Sequence, residues 1–336
     1  MTRGLARVAA RFLVLLTAAS VVIFVLLRAI PGNPAEVALG VSATPDNVAA
    51  LSAQLGLDRP LLVQYGEWIG GLLRGDCGTS LTTGQPITPV LVDRAQVSAI
   101  LCGTAMAASL LIAVPLGILA AGATRRLGGG GSPGYPGSPG SPGWLASAIS
   151  ATSHVGIAVP SFLVGVGLVA LFAVHLGWLP ANGWVPPQVD FGAFIRRLIL
   201  PVAALTAVQA AILTRYVRSE IVEVTSQDFL RTALAVGHSP AGALRRHGLR
   251  NAAIPVLTVT GLQLASLLVG AVVIERVFVL PGLGTMLLEA VSGRDLLTVQ
   301  AVVMVLVVAT LAVNLVVDVV TTIIDPRLRT RRQGGR

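Results

Sequence analysis

The amino-acid sequence predicts an all-α membrane protein with six transmembrane helices. Of its 336 residues, 54% are hydrophobic and only 12% are charged, whereas ordinary soluble domains are about a quarter charged. The apolar residues come in runs of about twenty, the length that crosses a bilayer's hydrocarbon core. Arginines flank these runs instead of interrupting them, as the cost of a few kcal/mol per charge near mid-bilayer requires.

The first span runs from about Phe12 to Ile30, behind Arg3, Arg7 and Arg11. A basic start and an apolar stretch also describe a signal peptide. No small-residue cleavage site follows, however, and Ile30-Pro31-Gly32-Asn33-Pro34 opens a structured loop, so the segment is read as a retained helix. Residues 31–96 form a polar external loop, with an amphipathic piece at Leu61–Leu73 and the sequence Gly75-Asp76-Cys77-Gly78-Thr79-Ser80. Further spans are predicted at Val97–Ala123, Ala151–Val174, Leu198–Leu213, Ala252–Ile274 and Leu296–Ile324. Pro115 and Pro160 fall within spans, where neighbouring helices can satisfy the carbonyls that proline frees. Asp318 is the only carboxylate inside the predicted spans.

With both termini cytoplasmic, 16 of the 24 arginines lie inside, the orientation that the positive-inside rule favours. Gly128–Gly143 reads GGGGSPGYPGSPGSPG. A few such triplets cannot sustain a collagen helix, and this density of Gly and Pro builds no core. Residues 124–143 are therefore expected to form a disordered cytoplasmic loop between the second and third spans.

Several chemistries are excluded or unsupported. Lysine is absent, so there is no P-loop lysine for ATP and no Schiff-base lysine. Cys77 falls in a loop and Cys102 in a span, which argues against a disulfide, and small apolar filler is the better reading. His154, His175, His238 and His247 lack metal-ligand spacing; a proton path through His154 and His175 weighs less than packing roles. Gly130-Gly131-Ser132-Pro133-Gly134 fits a nucleophile elbow only formally, with no strand before it. Gly165-Val166-Gly167-Leu168-Val169-Ala170 fits a dinucleotide fingerprint but sits inside a span. The arginines form no stripe with aromatic partners, so nucleic acid is not an expected ligand. No catalytic set emerges, and the chain is read as a non-enzyme with no cofactor or metal of its own.

The informative segment is residues 216–255. Thr225-Ser226-Gln227-Asp228 can cap a helix running to Val236, with Asp228 in its first turn and Gly237 supplying a left-handed terminus. Ser239 before Pro240 restarts a second helix. Phe229, Leu230 and Leu234 are expected to project from the first helix. An uncovered apolar patch of that kind favours a docking surface over a plain connector.

Asp228-Phe229-Leu230-Arg231-Thr232-Ala233-Leu234-Ala235-Val236-Gly237, followed by Leu249-Arg250-Asn251-Ala252-Ala253-Ile254-Pro255, resembles the EAA loop of ABC importer permeases. Thr232 precedes the alanine where the family's leading glutamate would stand. Val159-Pro160-Ser161-Phe162-Leu163 and Leu176-Gly177-Trp178-Leu179-Pro180 resemble segments of the dipeptide/oligopeptide branch. So do Val273-Ile274-Glu275-Arg276-Val277-Phe278, Pro281-Gly282-Leu283-Gly284 and Asp325-Pro326-Arg327-Leu328-Arg329. The long first external loop and Gly75–Ser80 are similar to the B-type subunit, with Cys77 in place of the usual leucine. The likeness covers nearly the whole chain except Gly128–Gly143.

The resemblance implies a type I ABC importer permease bundle with a cytoplasmic coupling loop, in a bacterial inner membrane. It implies four kinds of partner: a homologous second permease, one or two ABC ATPase subunits, an extracytoplasmic substrate-binding protein and the surrounding lipids. ATP and Mg would be bound by the ATPases. Asp228, Phe229, Leu230, Thr232, Ala233, Ala235, Gly237, Asn251, Ile254 and Pro255 would couple to them. Permeases of this kind serve dipeptides, oligopeptides, nickel complexes, glutathione and haem, and the sequence leaves that choice open. The alternative is a secondary transporter or channel working without ATPases, for which inverted repeats or paired intramembrane charges would argue; neither is found. An intramembrane enzyme lacks a catalytic set.

Overall fold

The computed structural model describes residues 2–29, 33–126 and 159–324. The Gly/Pro-rich stretch, His154, the start of the predicted third span and Asp325–Arg329 lie outside them. Five helices among the described residues are long and apolar enough to cross a membrane. Four are built within α1 (Thr2–Ala29), α5 (Ile87–Arg126), α7 (Phe191–Ser226) and α12 (Leu296–Ile324); the other runs from Ala241 to Val277 and consists mostly of α10 (Leu249–Val277). The predicted third span is represented by α6 (Ser161–Leu168), which continues as a π-helix over Val169–His175.

The boundaries correct several expectations. The second span starts at Ile87, inside the segment read as loop, and the fourth extends over 36 residues instead of Leu198–Leu213. Pro160 is the residue preceding α6, not an interior one, while Pro115, Pro201 and Pro255 sit within helices. Asp318 also loses its singular position: the longer spans take in Asp93, Glu220, Glu223 and Glu275. Polar residues at helix ends lower the local apolar density, and a composition reading stops the span too early there.

The rest of residues 33–86 is helical in short pieces: α2 (Pro34–Leu39), α3 (Pro45–Gln54) and α4 (Leu61–Leu73). Asn33 and Thr44 each stand before a proline, and their side chains accept from the amides of Ala35 and Asn47 at 2.9 and 3.3 Å. That is a capped start with proline where its missing N–H costs nothing.

The described residues divide into two compact units. The first comprises residues 101–267 and 316–324. Its helices approach closely at small residues: a Cβ on Gly117 would lie 2.6 Å from Val217, and one on Gly261 would overlap Val317. Lipid supplies no hydrophobic drive between helices, so close contact of this kind holds them together. The hydroxyl of Thr206 donates to the Ala105 carbonyl and the amide of Gln209 to the Gln263 carbonyl, at 3.3 and 3.2 Å.

The second unit comprises residues 2–100 and 268–315. Phe24 of α1 packs edge-on to Tyr65 and stacks on Trp68 of α4, and Ser20 shares a 2.7 Å hydrogen bond with the Tyr65 hydroxyl. Ile87, Leu91, Leu283, Met286, Ala301 and Val302 form its buried cluster. Leu283 and Met286 belong to α11 (Leu283–Ser292).

Candidate functional site

Residues 227–248 fold as the sequence predicts in outline. Helix α8 (Asp228–Ala235) ends in a left-handed Gly237, φ +94°. The His238 amide donates to the Ala233 carbonyl at 3.1 Å and the Gly237 amide to the Leu234 carbonyl at 3.0 Å. This pair of bonds ties off the helix at a glycine that has no Cβ to oppose the turn. Helix α9 (Pro240–Ala243) follows, with Ser239 Oγ accepting from the Gly242 amide at 3.2 Å. It runs through a π-helical Leu244–Gly248 into α10.

Two expectations fail here. Thr225 and Ser226 do not cap α8. Their hydroxyls donate back to the Val222 and Glu223 carbonyls, because α7 continues to Ser226 and claims them for its own last turn. Gln227 takes the cap position without a side-chain bond.

The apolar side chains also do not project. Leu230 is 1% exposed and packs with Ala233 against Ala243, with Phe229 and Leu234 alongside. Phe229 also packs against the cluster of Ala121, Val217, Ile221, Val224 and Ala252. The apolar face of α8 thus seats the helix on its own subunit. What remains exposed is an edge of mixed character: the polar Asp228, Arg231 and Thr232, followed by Ala235, Val236 and Gly237. Arg231 lies 3.6 Å from Asp228, and Thr232 donates to the Asp228 carbonyl at 3.0 Å.

Asn251, Ile254 and Pro255 stand in the first two turns of α10, which starts three residues before the predicted span and so takes in Asn251 as well. Asn251 donates to the His247 carbonyl at 2.9 Å. The ten residues expected to couple therefore fall into three groups: an exposed edge, a seated face, and the start of a membrane-spanning helix.

The second unit holds two buried carboxylates whose roles the sequence reading missed. Glu275, 1% exposed, accepts from Ser98 Oγ at 2.6 Å and from the Thr285 amide at 3.0 Å. Ser98 in turn accepts from the Leu283 amide at 2.8 Å. Helix α11 has Gly282 at its cap position and no capping side chain; Glu275 and Ser98 supply its first-turn acceptors from a distance, where a carboxylate also favours the positive end of the helix. A Cβ on Gly282 would overlap the Glu275 carboxylate, which accounts for the glycine in Pro281-Gly282-Leu283-Gly284.

Asp295, 3% exposed, stands between α11 and α12 and gathers the Gly75–Ser80 segment. It accepts from Ser80 Oγ at 2.5 Å, Thr298 Oγ1 at 2.7 Å, and the Leu81 and Thr298 amides at 3.2 Å. Burial pushes the Asp295 carboxyl up, but these hydrogen bonds outweigh it and hold the group below its ordinary value. Its one sequence cue was proximity to a helix start; Ser80 lies 215 residues away.

Against known families, residues 138–330 match the model described as "Binding-protein-dependent transport system inner membrane component", and residues 1–104 match that of the same systems' N-terminal membrane component. The chain is 33% identical over 308 residues to the oligopeptide transport system permease protein AppB of Bacillus subtilis (strain 168), covering 91% of this chain and 92% of the relative. It is 36% identical over 313 residues to the glutathione transport system permease protein GsiC of Salmonella typhi, covering 92% and 93%. Its fold is similar to a solved chain of the MetNI methionine ABC transporter in an inward-facing conformation. That match has a TM-score of 0.56 at 17% identity and covers 70% of this chain and 96% of the other. These likenesses, in a chain with five membrane-length helices among its described residues, leave the secondary-transporter reading unsupported. The chain belongs to the family of binding-protein-dependent transport system inner membrane components: it is a multi-pass permease subunit of an ABC importer, not the importer's ATPase.

Proposed function

We propose that the chain is the B-type permease of an ATP-driven importer of the dipeptide/oligopeptide class, receiving short peptides from an extracytoplasmic binding protein. Relatives named for oligopeptide and glutathione transport support peptide cargo. The observation that carries the mechanism is the α8–α9 pair, tied off at Gly237 and seated on its own subunit by Leu230.

The exposed edge of Asp228, Thr232, Ala235 and Gly237 is the contact for an ATPase subunit. Phe229, Leu230 and Ala233 work indirectly, by fixing that edge to the helix bundle. Asn251, Ile254 and Pro255 carry its displacement into α10. Two ATPases, or one, hold ATP and Mg; their closure moves residues 228–255 as a lever and biases a pre-existing equilibrium between outward- and inward-facing states. A homologous second permease completes the pore, lined from the second to the fifth spans. Both termini face the cytoplasm, with residues 124–143 as a cytoplasmic loop and residues 31–86 on the side of the binding protein; Ile87 onward belongs to the second span. The chain itself holds no cofactor.

The test is gentle extraction of the tagged chain from native membranes. A second permease and P-loop ATPases in stoichiometric amount are the expected companions. A chain that purifies alone, is stable and transports without ATPase would overturn the assignment.

A further inference from the structure

Within the second unit, a cavity of about 40 Å³ lies among the end of α1, the start of α2, the residues after α3, Leu81 and the start of α12. Six leucines and Pro34 line it together with two polar side chains, Arg28 and Gln300. Gln300 is 5% exposed, and its Nε2 is buried without a hydrogen-bond partner. Arg28 has no ion pair among the described residues; its guanidinium lies 5.4 Å from the Phe24 ring centroid, which steadies it.

A buried amide donor left unmatched costs free energy, and a native site that keeps one has a reason for it. The two polar groups offer N–H donors and a positive charge, so the missing component is an anionic acceptor. Ordered water is the simple alternative. The volume admits about two or three waters, but leucine walls give such waters few further partners.

The surroundings select the kind of anion. Arg28 ends α1, whose Val21, Val22, Val25 and Leu26 are exposed along the same helix. Of these, Val21 and Val25 stand seven and three residues before Arg28, on its own face of the helix, so a ligand that reaches Arg28 along that face meets apolar surface first and the charge last, an amphiphile's order. Arginine's planar fork suits phosphate oxygens. The pocket is also preformed, since Asp295 ties the Leu81 amide to the start of α12.

We infer that the cavity between α1 and α12 binds the phosphate group of a membrane phospholipid, held by Arg28 and by the Gln300 amide.

The experiment is native mass spectrometry of the assembled transporter, with phosphatidylglycerol, diacylglycerol or inorganic phosphate added to delipidated detergent samples. Phosphatidylglycerol is expected to remain bound after dilution, while diacylglycerol, which lacks the phosphate, is not. Arg28→Gln and Gln300→Leu should each lower that occupancy about tenfold, the equivalent of one lost charge-assisted or neutral hydrogen bond. Gln300→Leu removes the orphaned donor itself, so it keeps the test valid if Arg28→Gln fails to assemble. Equal occupancy in Gln300→Leu and wild type would mean a water-filled cavity and overturn the proposal. Retention of inorganic phosphate with no preference for phosphatidylglycerol over diacylglycerol would identify a free-anion site and overturn the lipid. Unchanged lipid binding with weakened binding-protein affinity in either variant would assign the pocket to an acidic side chain of that partner instead.

Discussion

The turns that end α8 and α10 share one hydrogen-bond pattern, with a residue of positive φ two places past the helix. After α8 that residue is Gly237, at +94°, and the contacts around it are local: Leu230, Ala233 and Ala243 lie within fourteen residues of each other. After α10 it is Val279, at +51°, where the Leu280 amide donates to the Glu275 carbonyl at 2.8 Å. A β-branched side chain is strained in that conformation. What holds it lies far off in sequence, with Ser98 bonded to Glu275 across 177 residues. The first turn is a self-contained element resting on the bundle, as the proposed lever requires. The second is tied into the frame at several points and is suited to staying put.

The comparison breaks most visibly if Glu275 proves dispensable. Glu275→Ala strips acceptors from the Ser98 hydroxyl and the Thr285 amide. With about 1–3 kcal/mol for each buried donor left unmatched, a loss of about 3 kcal/mol is expected in thermal unfolding of the assembled transporter. Gly282→Ala should cost about 2 kcal/mol by overpacking against the same carboxylate. The two changes together should cost less than their sum, since each removes the other's cause.

Asp295→Asn comes next, at about 2 kcal/mol, because an amide replaces a carboxylate that accepts from hydroxyl and backbone amide donors with a group that also donates toward the Ser80 and Thr298 hydroxyls. Its carboxyl is held low in the folded chain, so the stabilisation is complete above the unfolded-state value near 3.9 and is lost as pH falls through the lower folded value. Acid unfolding curves of wild type and Asp295→Asn should begin to converge as pH falls below about 4; a constant gap down to low pH would refute the ionised hub.

Gly237→Val should cost about 1–2 kcal/mol locally, since a Cβ opposes the left-handed turn. Its main effect is functional: uptake should fall while ATPase turnover persists, and unchanged uptake would sink the lever. The smallest change has the opposite sign. Val279→Gly relieves strain at an exposed position and should raise stability by no more than about 1 kcal/mol, without altering coupling.

How much of this was legible in the sequence follows the same division. The helices of residues 228–248, the Gly237 terminus and the Ser239 cap depend on neighbours a few residues apart, so their spelling is local. The direction of Leu230 was not legible: an amphipathic helix shows that it has an apolar face, not what covers it, and here α9 and the α7–α10 cluster do. Thr225 and Ser226 are equally good caps and last-turn residues, and only the length of α7 decides between them. Glu275 and Asp295 draw their partners from Ser98 and Ser80, and no spacing rule joins residues 177 or 215 apart.

Because the native chain contains no lysine, a single introduced lysine reports its own surroundings without side-chain background. Ala235→Lys on the exposed edge of α8, treated with an amine-reactive cross-linker in the assembled transporter, should join the ATPase subunit with a yield that changes on adding ATP. Leu62→Lys, on the exposed face of α4, should join the binding protein or nothing. An Ala235→Lys transporter that hydrolyses ATP yet forms no cross-link to its ATPase would contradict the coupling role of α8.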